Sequence, residues 1–216
     1  MELTRITNAP LKTEPFTHFF LENVFSDTTY QALIDNLPDT FYYQKSKNYA
    51  RRYTLPLNQD TLELLDPKLQ EFWSPLTRVM QSKQFLSAVL HKFQVELSDD
   101  FSPILQLVQD HDHYALGPHT DIPNKVVTLL FYLPPTNDQA HLGTSLYRPL
   151  DPQFRCSGHA HHPFEQFVKV GQVPFLANSV FGFIRTDVSF HGVEPIGVQE
   201  IQRNILSYSV WKSRKS

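Results

Sequence analysis

The strongest constraint on the fold is the run Lys125-Val126-Val127-Thr128-Leu129-Leu130-Phe131-Tyr132-Leu133. Its length and apolar content read as a buried strand. His119 and Asp121, in Gly117-Pro118-His119-Thr120-Asp121, stand at its lip. On a strand or strand edge the period of two places both side chains on one face. A third metal ligand must come from elsewhere. The candidate is His191, in Ser189-Phe190-His191-Gly192-Val193-Glu194-Pro195, with Arg203 on the next apolar segment. Two nitrogens and one carboxylate form the facial set that binds non-haem Fe(II) and leaves positions open. The competing reading is that these residues only pack and hydrogen-bond.

A chain of 216 residues suits one domain with one main core. The formal net charge of -3 gives no support to a broad nucleic-acid or anionic-membrane surface. A single cysteine, Cys156, excludes an intrachain disulfide. The N-terminus lacks a basic segment followed by a long apolar core, and no apolar run reaches membrane-spanning length. A cytoplasmic setting is the expectation. Glycine is scarce, at 7, and proline plentiful, at 16, which argues for short elements rather than a helical bundle or a glycine-rich nucleotide fold.

Taken in order, residues 1–24 read as an extended arm or strand around Phe16 to Leu21. A helix follows, capped by Ser26, with Phe25 set to staple against Tyr30 and with Tyr30, Leu33, Ile34 and Leu37 on one face. Pro38 ends it. Asp66 and Pro67 open a second helix carrying Leu69, Phe72, Trp73 and Leu76, which Pro75 bends or restarts. A third starts near Ser82 and carries Phe85, Leu86, Val89 and Leu90. These aromatic stripes, Trp73 included, are expected in the core. His18 and His91 read as packing or surface histidines.

Residues 94–210 read mainly as strands: Ile104 to Gln109, Lys125 to Leu133, Leu142 to Tyr147, Val173 to Leu176, Val180 to Ile184 and Arg203 to Trp211. Residues 149–172 read as a long polar loop, and the tail from Lys212 to Ser216 as frayed. The expectation is an α+β, mainly β chain: a double-stranded β-helix (jelly-roll/cupin-like) core over 94–211 with N-terminal helical support over 1–93, in one domain spanning 1–216.

At this point the sequence resembles the Fe(II)- and 2-oxoglutarate-dependent oxygenases, in their prolyl-4-hydroxylase-like branch. The resemblance lies in Tyr114-Ala115-Leu116-Gly117-Pro118-His119-Thr120-Asp121, Leu129-Leu130-Phe131-Tyr132-Leu133-Pro134, Leu142-Gly143-Thr144 and Phe190-His191-Gly192-Val193-Glu194-Pro195 with Arg203. It covers residues 100–211 well and the N-terminal helices loosely. It implies that His119, Asp121 and His191 hold Fe(II) as the catalytic centre. Arg203 would grip the distal carboxylate of 2-oxoglutarate through a bidentate contact, aided by Tyr132. Thr128, Ser207 and Gln109 are further candidates for that cosubstrate pocket. The segment from Ile196 to Gln202 lengthens the turn between His191 and Arg203. The implied reaction hydroxylates an unactivated C–H bond and releases succinate and CO2, with ascorbate as an activity-supporting reductant. The carboxylate of Asp121 favours hydroxylation over halogenation, while desaturation, ring formation and demethylation stay open.

The absence of a large accessory domain favours a small metabolite or amino-acid-like substrate, with a prolyl or other peptidyl hydroxylase acting on a protein as the alternative. Arg51, Arg52 and Lys125 are candidates to recognise an acidic group on the substrate, because arginine presents a bidentate fork. His111 and His113 are candidates to line the substrate mouth. A structural zinc site from Cys156, His159, His161 and His162 is a rival use of the polar loop, and an active-site cover is another. A non-catalytic cupin-like module binding a metal or small acid is the rival from outside enzymology. The chain is expected as a monomer or homodimer.

Overall fold

The computed structural model describes residues 3–158, 160–198 and 202–213. In chain order the elements are α1 (Leu3–Asn8), β1 (His18–Glu22), α2 (Asp27–Asp35), β2 (Gln44–Lys45), β3 (Arg52–Pro56), α3 (Gln59–Leu62), α4 (Pro67–Met80), α5 (Lys83–Lys92), β4 (Phe101–Asp110), β5 (Leu116–His119), β6 (Lys125–Tyr132), β7 (Thr144–Pro149), β8 (Phe167–Val173), β9 (Ser179–Ile184), β10 (His191–Val193) and β11 (Arg203–Lys212). No helix among the described residues is long and apolar enough to cross a membrane.

Local chemistry accounts for the helix starts. Ser26, Asp66 and Ser82 each accept a hydrogen bond from a first-turn backbone N–H, those of Thr29, Leu69 and Phe85. Each satisfies a donor the helix leaves orphaned. Pro75 neither ends nor restarts α4, which runs through it. Both Pro75 and Glu71, whose carbonyl loses its partner there, are exposed, so water can take the freed acceptor.

The strands form two antiparallel sheets. One has seven strands in the order β1-β9-β6-β11-β4-β3-β2, and the other has four in the order β5-β10-β7-β8. Among the described residues neither closes on itself, and no ladder joins one to the other. This corrects the double-stranded β-helix (jelly-roll/cupin-like) expectation. The core is two open sheets whose facing side chains pack, within an α+β, mainly β chain. Alternation along a strand specifies which residues are inward, and both arrangements satisfy it equally.

The seven-stranded sheet is buried on both faces, which explains its near-continuous apolar runs. Leu105 and Leu107 of β4, Val127, Leu129 and Phe131 of β6, and Leu206, Tyr208 and Val210 of β11 face one core. Ile6, Trp73, Met80, Phe85, Val89 and Leu90 of the helices fill its other side. Trp73 is fully buried there, and its indole N–H donates to Asn36 O at 2.7 Å. The opposite face, with Val108, Tyr132, Phe181, Phe183 and Ile205, meets Leu142, Leu146, Val173 and Phe175. The site lies in this second interior.

The expected loop over 149–172 contains the start of a strand instead. β8 pairs with β7 from Phe167↔Pro149 to Val173↔Thr144. It is a sheet edge, buried at Phe167 and Val173 and largely open to solvent between them, so its polar residues are compatible with a strand. Residues 199–201, within the lengthened turn, and 214–216 of the tail lie outside the described residues.

Candidate metal centre

β10 carries His191 and β5 carries His119, and the two are direct cross-strand partners. Their rings lie 4.3 Å apart, centre to centre. Gly192 makes this approach possible. A Cβ there would stand 2.5 Å from Leu116 O, a backbone atom that cannot swing aside. Gly192→Ala is therefore expected to part β10 from β5. It should cost about 1–3 kcal/mol of stability and weaken metal binding, and equilibrium unfolding with metal titration checks both. Unchanged metal affinity would show that the pairing does not set the centre.

Asp121 lies two residues beyond His119, where the chain leaves β5. Donor atoms of His119, Asp121 and His191 all fall within 4.8 Å of one another, and all three residues are buried. Among the described residues no other group of three or more His, Cys, Asp or Glu side chains converges in this way. His119 Nδ1 is 3.0 Å from Gly117 O, and His191 Nδ1 is 3.0 Å from Ser189 O. A carbonyl only accepts, so both Nδ1 atoms carry the proton and both Nε2 lone pairs are left to bind a metal. Burial pushes His119 well below its ordinary value, and the neighbouring His191 adds to the effect. Burial also pushes His191 down, against the pull of Asp121. Both rings are neutral near pH 7, as ligation requires.

Asp121 behaves in the opposite sense. Burial alone would raise its carboxyl, but the Lys125 ammonium, with His191 and His119 behind it, holds it below the usual carboxylate range. Lys125 Nζ sits 3.0 Å from each carboxylate oxygen, and Thr128 donates to Oδ2 at 2.9 Å. The carboxylate is ionised and fixed before any metal arrives.

These three side chains sit on the wall of a cavity of about 750 Å3 between the sheets. Its walls include Val108, Leu130, Phe183 and Ile205, and its polar lining includes Thr128, Ser207 and Arg203. Arg203 is 1% exposed. It donates to Asp110 Oδ2 at 2.6 Å and to Leu142 O at 2.5 Å, and Thr144 Oγ1 lies at 3.4 Å. The Tyr132 hydroxyl is 2.6 Å from Thr144 Oγ1, so Tyr132 reaches the cavity's lining through that hydroxyl.

Among the other residues singled out by sequence, Lys125 and Arg52 line the cavity. Gln109 does not. It lies on the helix-facing side of β4, where its side-chain oxygen accepts from Thr40 at 3.0 Å. Arg51 is exposed with φ +66°, His113 is exposed with φ +62°, and His111 packs on Tyr53 at 4.5 Å. None of these three lines the cavity. His162 Nε2 lies 3.4 Å from Cys156 Sγ, whereas His161 turns away from that pair and stacks on Tyr49. His159, the fourth member of the rival zinc cluster, lies outside the described residues.

Sequence reasoning missed Asp110, Tyr49 and Thr144. Asp110 had a usable signal, an acidic residue at the end of an apolar strand with the same parity as Val108. Tyr49 had none.

No family model matches the sequence, and no curated protein matches it. Solved structures do. A prolyl hydroxylase from Trichoplax adhaerens, in complex with a hypoxia inducible factor oxygen degradation domain peptide fragment, aligns with a TM-score of 0.62 at 13% identity, over 97% of this chain and 89% of that one. HygX from Streptomyces hygroscopicus, with nickel and 2-oxoglutarate bound, gives 0.53 at 12%, over 91% and 83%. An oxidoreductase of the 2OG-Fe(II) oxygenase family from Burkholderia pseudomallei gives 0.54 at 13%, over 92% and 86%. At such identities the likeness is one of fold, and it does not single out a prolyl-4-hydroxylase branch. What this chain shares with these structures is their fold, and within that fold it carries a buried two-histidine, one-carboxylate triad.

Proposed function

We propose that the protein is a non-haem Fe(II)/2-oxoglutarate-dependent dioxygenase that hydroxylates an unactivated C–H bond of a small metabolite or amino-acid-like molecule, releasing succinate and CO2. The observation that carries this reading is the convergence of His119, Asp121 and His191 on the wall of a cavity that also holds a buried arginine. The donor set fits iron: two neutral imidazoles with free Nε2 atoms and one ionised carboxylate, on one side of an open space. Bound there, iron and 2-oxoglutarate would supply the oxygen-activating chemistry.

The chain's own residues supply the rest. Gly117 O and Ser189 O fix the two imidazole tautomers, and Lys125 and Thr128 hold the Asp121 carboxylate. Arg203 would take the distal carboxylate of 2-oxoglutarate, with the Tyr132–Thr144 hydroxyl pair beside it. Val108, Leu130, Phe183 and Ile205 give the cavity apolar wall that would exclude water.

A small substrate is favoured over a peptide by the size of the cavity. Tyr49 and His161, both in the cavity lining, stack at 5.3 Å with 4° between their planes. The cavity of about 750 Å3 is of ordinary small-molecule size.

Anaerobic addition of Fe(II) and 2-oxoglutarate, followed by visible absorption, tests the assignment. A charge-transfer band that requires both additives is expected. No band, together with no calorimetric binding of either additive, would leave a non-catalytic binding module as the better account.

A further inference from the structure

Arg52, Asp110 and Arg203 form a row across three adjacent strands, since Asp110 of β4 is the register partner of both Arg52 on β3 and Arg203 on β11. Asp110 is fully buried and binds both cations. Arg52 Nε donates to Oδ1 at 2.6 Å and Nη2 to Oδ2 at 2.9 Å, while Arg203 Nη1 donates to Oδ2 at 2.6 Å. The two arginines differ in what lies around them. Arg203 is sealed in the interior. Arg52 keeps 17% of its side chain exposed and lines the cavity on the side of Tyr49 and His161.

Arg52 is held rigidly. Its fork is locked on Asp110, its guanidinium carbon lies 4.5 Å from the centre of the buried Tyr114 ring, and the Tyr49 ring is 5.5 Å away. Among the described residues, Nη1 has no hydrogen-bond acceptor. A guanidinium has five N–H donors, so a fixed cation at the cavity wall retains unused donors. Charge points the same way. Arg52, Arg203 and Lys125 outnumber Asp110 and Asp121 by one positive charge. A divalent metal with a dianionic cosubstrate would leave that excess unchanged.

We infer that Arg52 is a second anion subsite, at the mouth, that orients the substrate by a carboxylate or phosphate group. Arg203 marks the inner subsite and Arg52 the outer one, and Asp110 holds both in register. The inference rests on the proposed function only in calling the outer occupant the substrate. Lys125, already engaged on both oxygens of Asp121, has less capacity to serve this role. The exposed Arg51 lies outside the cavity.

The test reads the two arginines separately through their Nε–H resonances in 15N-labelled protein, with Zn(II) and 2-oxoglutarate added to fill the inner site. The probes are inorganic phosphate, N-acetylglycine and the uncharged N-acetylglycinamide. Either or both anions should move the Arg52 resonance saturably, the amide should not, and the responding anion names the group. Losing a charge-assisted bidentate contact should weaken probe binding about tenfold or more in Arg52→Gln, with an intermediate loss in Arg52→Lys. If Arg52→Gln folds poorly, the wild-type titration decides alone. No saturable Arg52 response to either anion, an equal response to the amide, or a response confined to Arg203 would overturn the subsite. Repeating the titration without Zn(II) and 2-oxoglutarate separates the two proposals. An Arg52 response in protein that binds neither additive would sink the oxygenase reading and leave the anion subsite standing.

Discussion

Asp110→Ala should be among the most destabilising single substitutions in this protein. It removes the one carboxylate that two arginines share, with Arg203 1% and the Arg52 side chain 17% exposed. Breaking a buried ion pair from one side typically costs about 3–5 kcal/mol, because the remaining charge is stranded away from water. For a domain of this size that corresponds to a drop in Tm of roughly 10 °C. Urea unfolding of wild type and variant measures it directly. A loss below about 1 kcal/mol would mean that Arg203 finds another anion or water, and that Asp110 is not its clamp. The double variant Asp110→Leu/Arg203→Met separates fold from function. Apolar replacement of a buried pair is often neutral or stabilising, so the part of the loss that comes from Arg203 should return, while the part that comes from Arg52, still without its carboxylate, should not. The cation at the inner end of the cavity is gone, so calorimetric binding of 2-oxoglutarate should not return with it. Recovery of both would place the cosubstrate elsewhere.

That Asp110 escaped the sequence reading while the triad did not shows what a sequence exposes. His119, Asp121 and His191 were legible because two of them share a local period and the third heads a returning apolar segment, so order along the chain stands in for proximity. The helix caps at Ser26, Asp66 and Ser82 were legible because capping is settled within one turn. Strand parity puts Asp110 on the side of Val108, but its two arginine partners are set only when β3, β4 and β11 lie side by side, which no local pattern encodes. The expectation of Gln109 at the cavity conflicts with its alternation with Val108. The strand period assigns it to the side of Leu105 and Leu107, where it lies. β8 was hidden by its polarity, since an edge strand open to solvent has the composition of a loop. Whether two sheets close into a barrel depends on hydrogen bonds between strand edges, and side-chain pattern is silent about those.

His119→Ala carries the largest expected functional effect, and its sign can be separated from any effect on folding. The imidazole is neutral and its one fixed hydrogen bond is to Gly117 O, so its removal strands no charge. The metal-free variant should therefore fold. Metal affinity should collapse: losing a group that merely orients a ligand already costs about 10–100-fold, and losing a ligand costs more. The readout is Tm with and without Fe(II) under anaerobic conditions. A metal that binds only the folded state, at about 100 times its dissociation constant, adds about 2.7 kcal/mol of stability. Wild type should show that rise, and His119→Ala and His191→Ala should not. Asp121→Ala should lose the rise too, but it should also lose stability without metal, because Lys125 is then deprived of both its contacts. His162→Ala is the control. Its ring lies beside Cys156 rather than in the triad, so the metal-dependent rise should survive. If His162→Ala abolished the rise and His119→Ala kept it, the metal would belong to the 150–166 segment, and the cavity between the sheets would need another occupant.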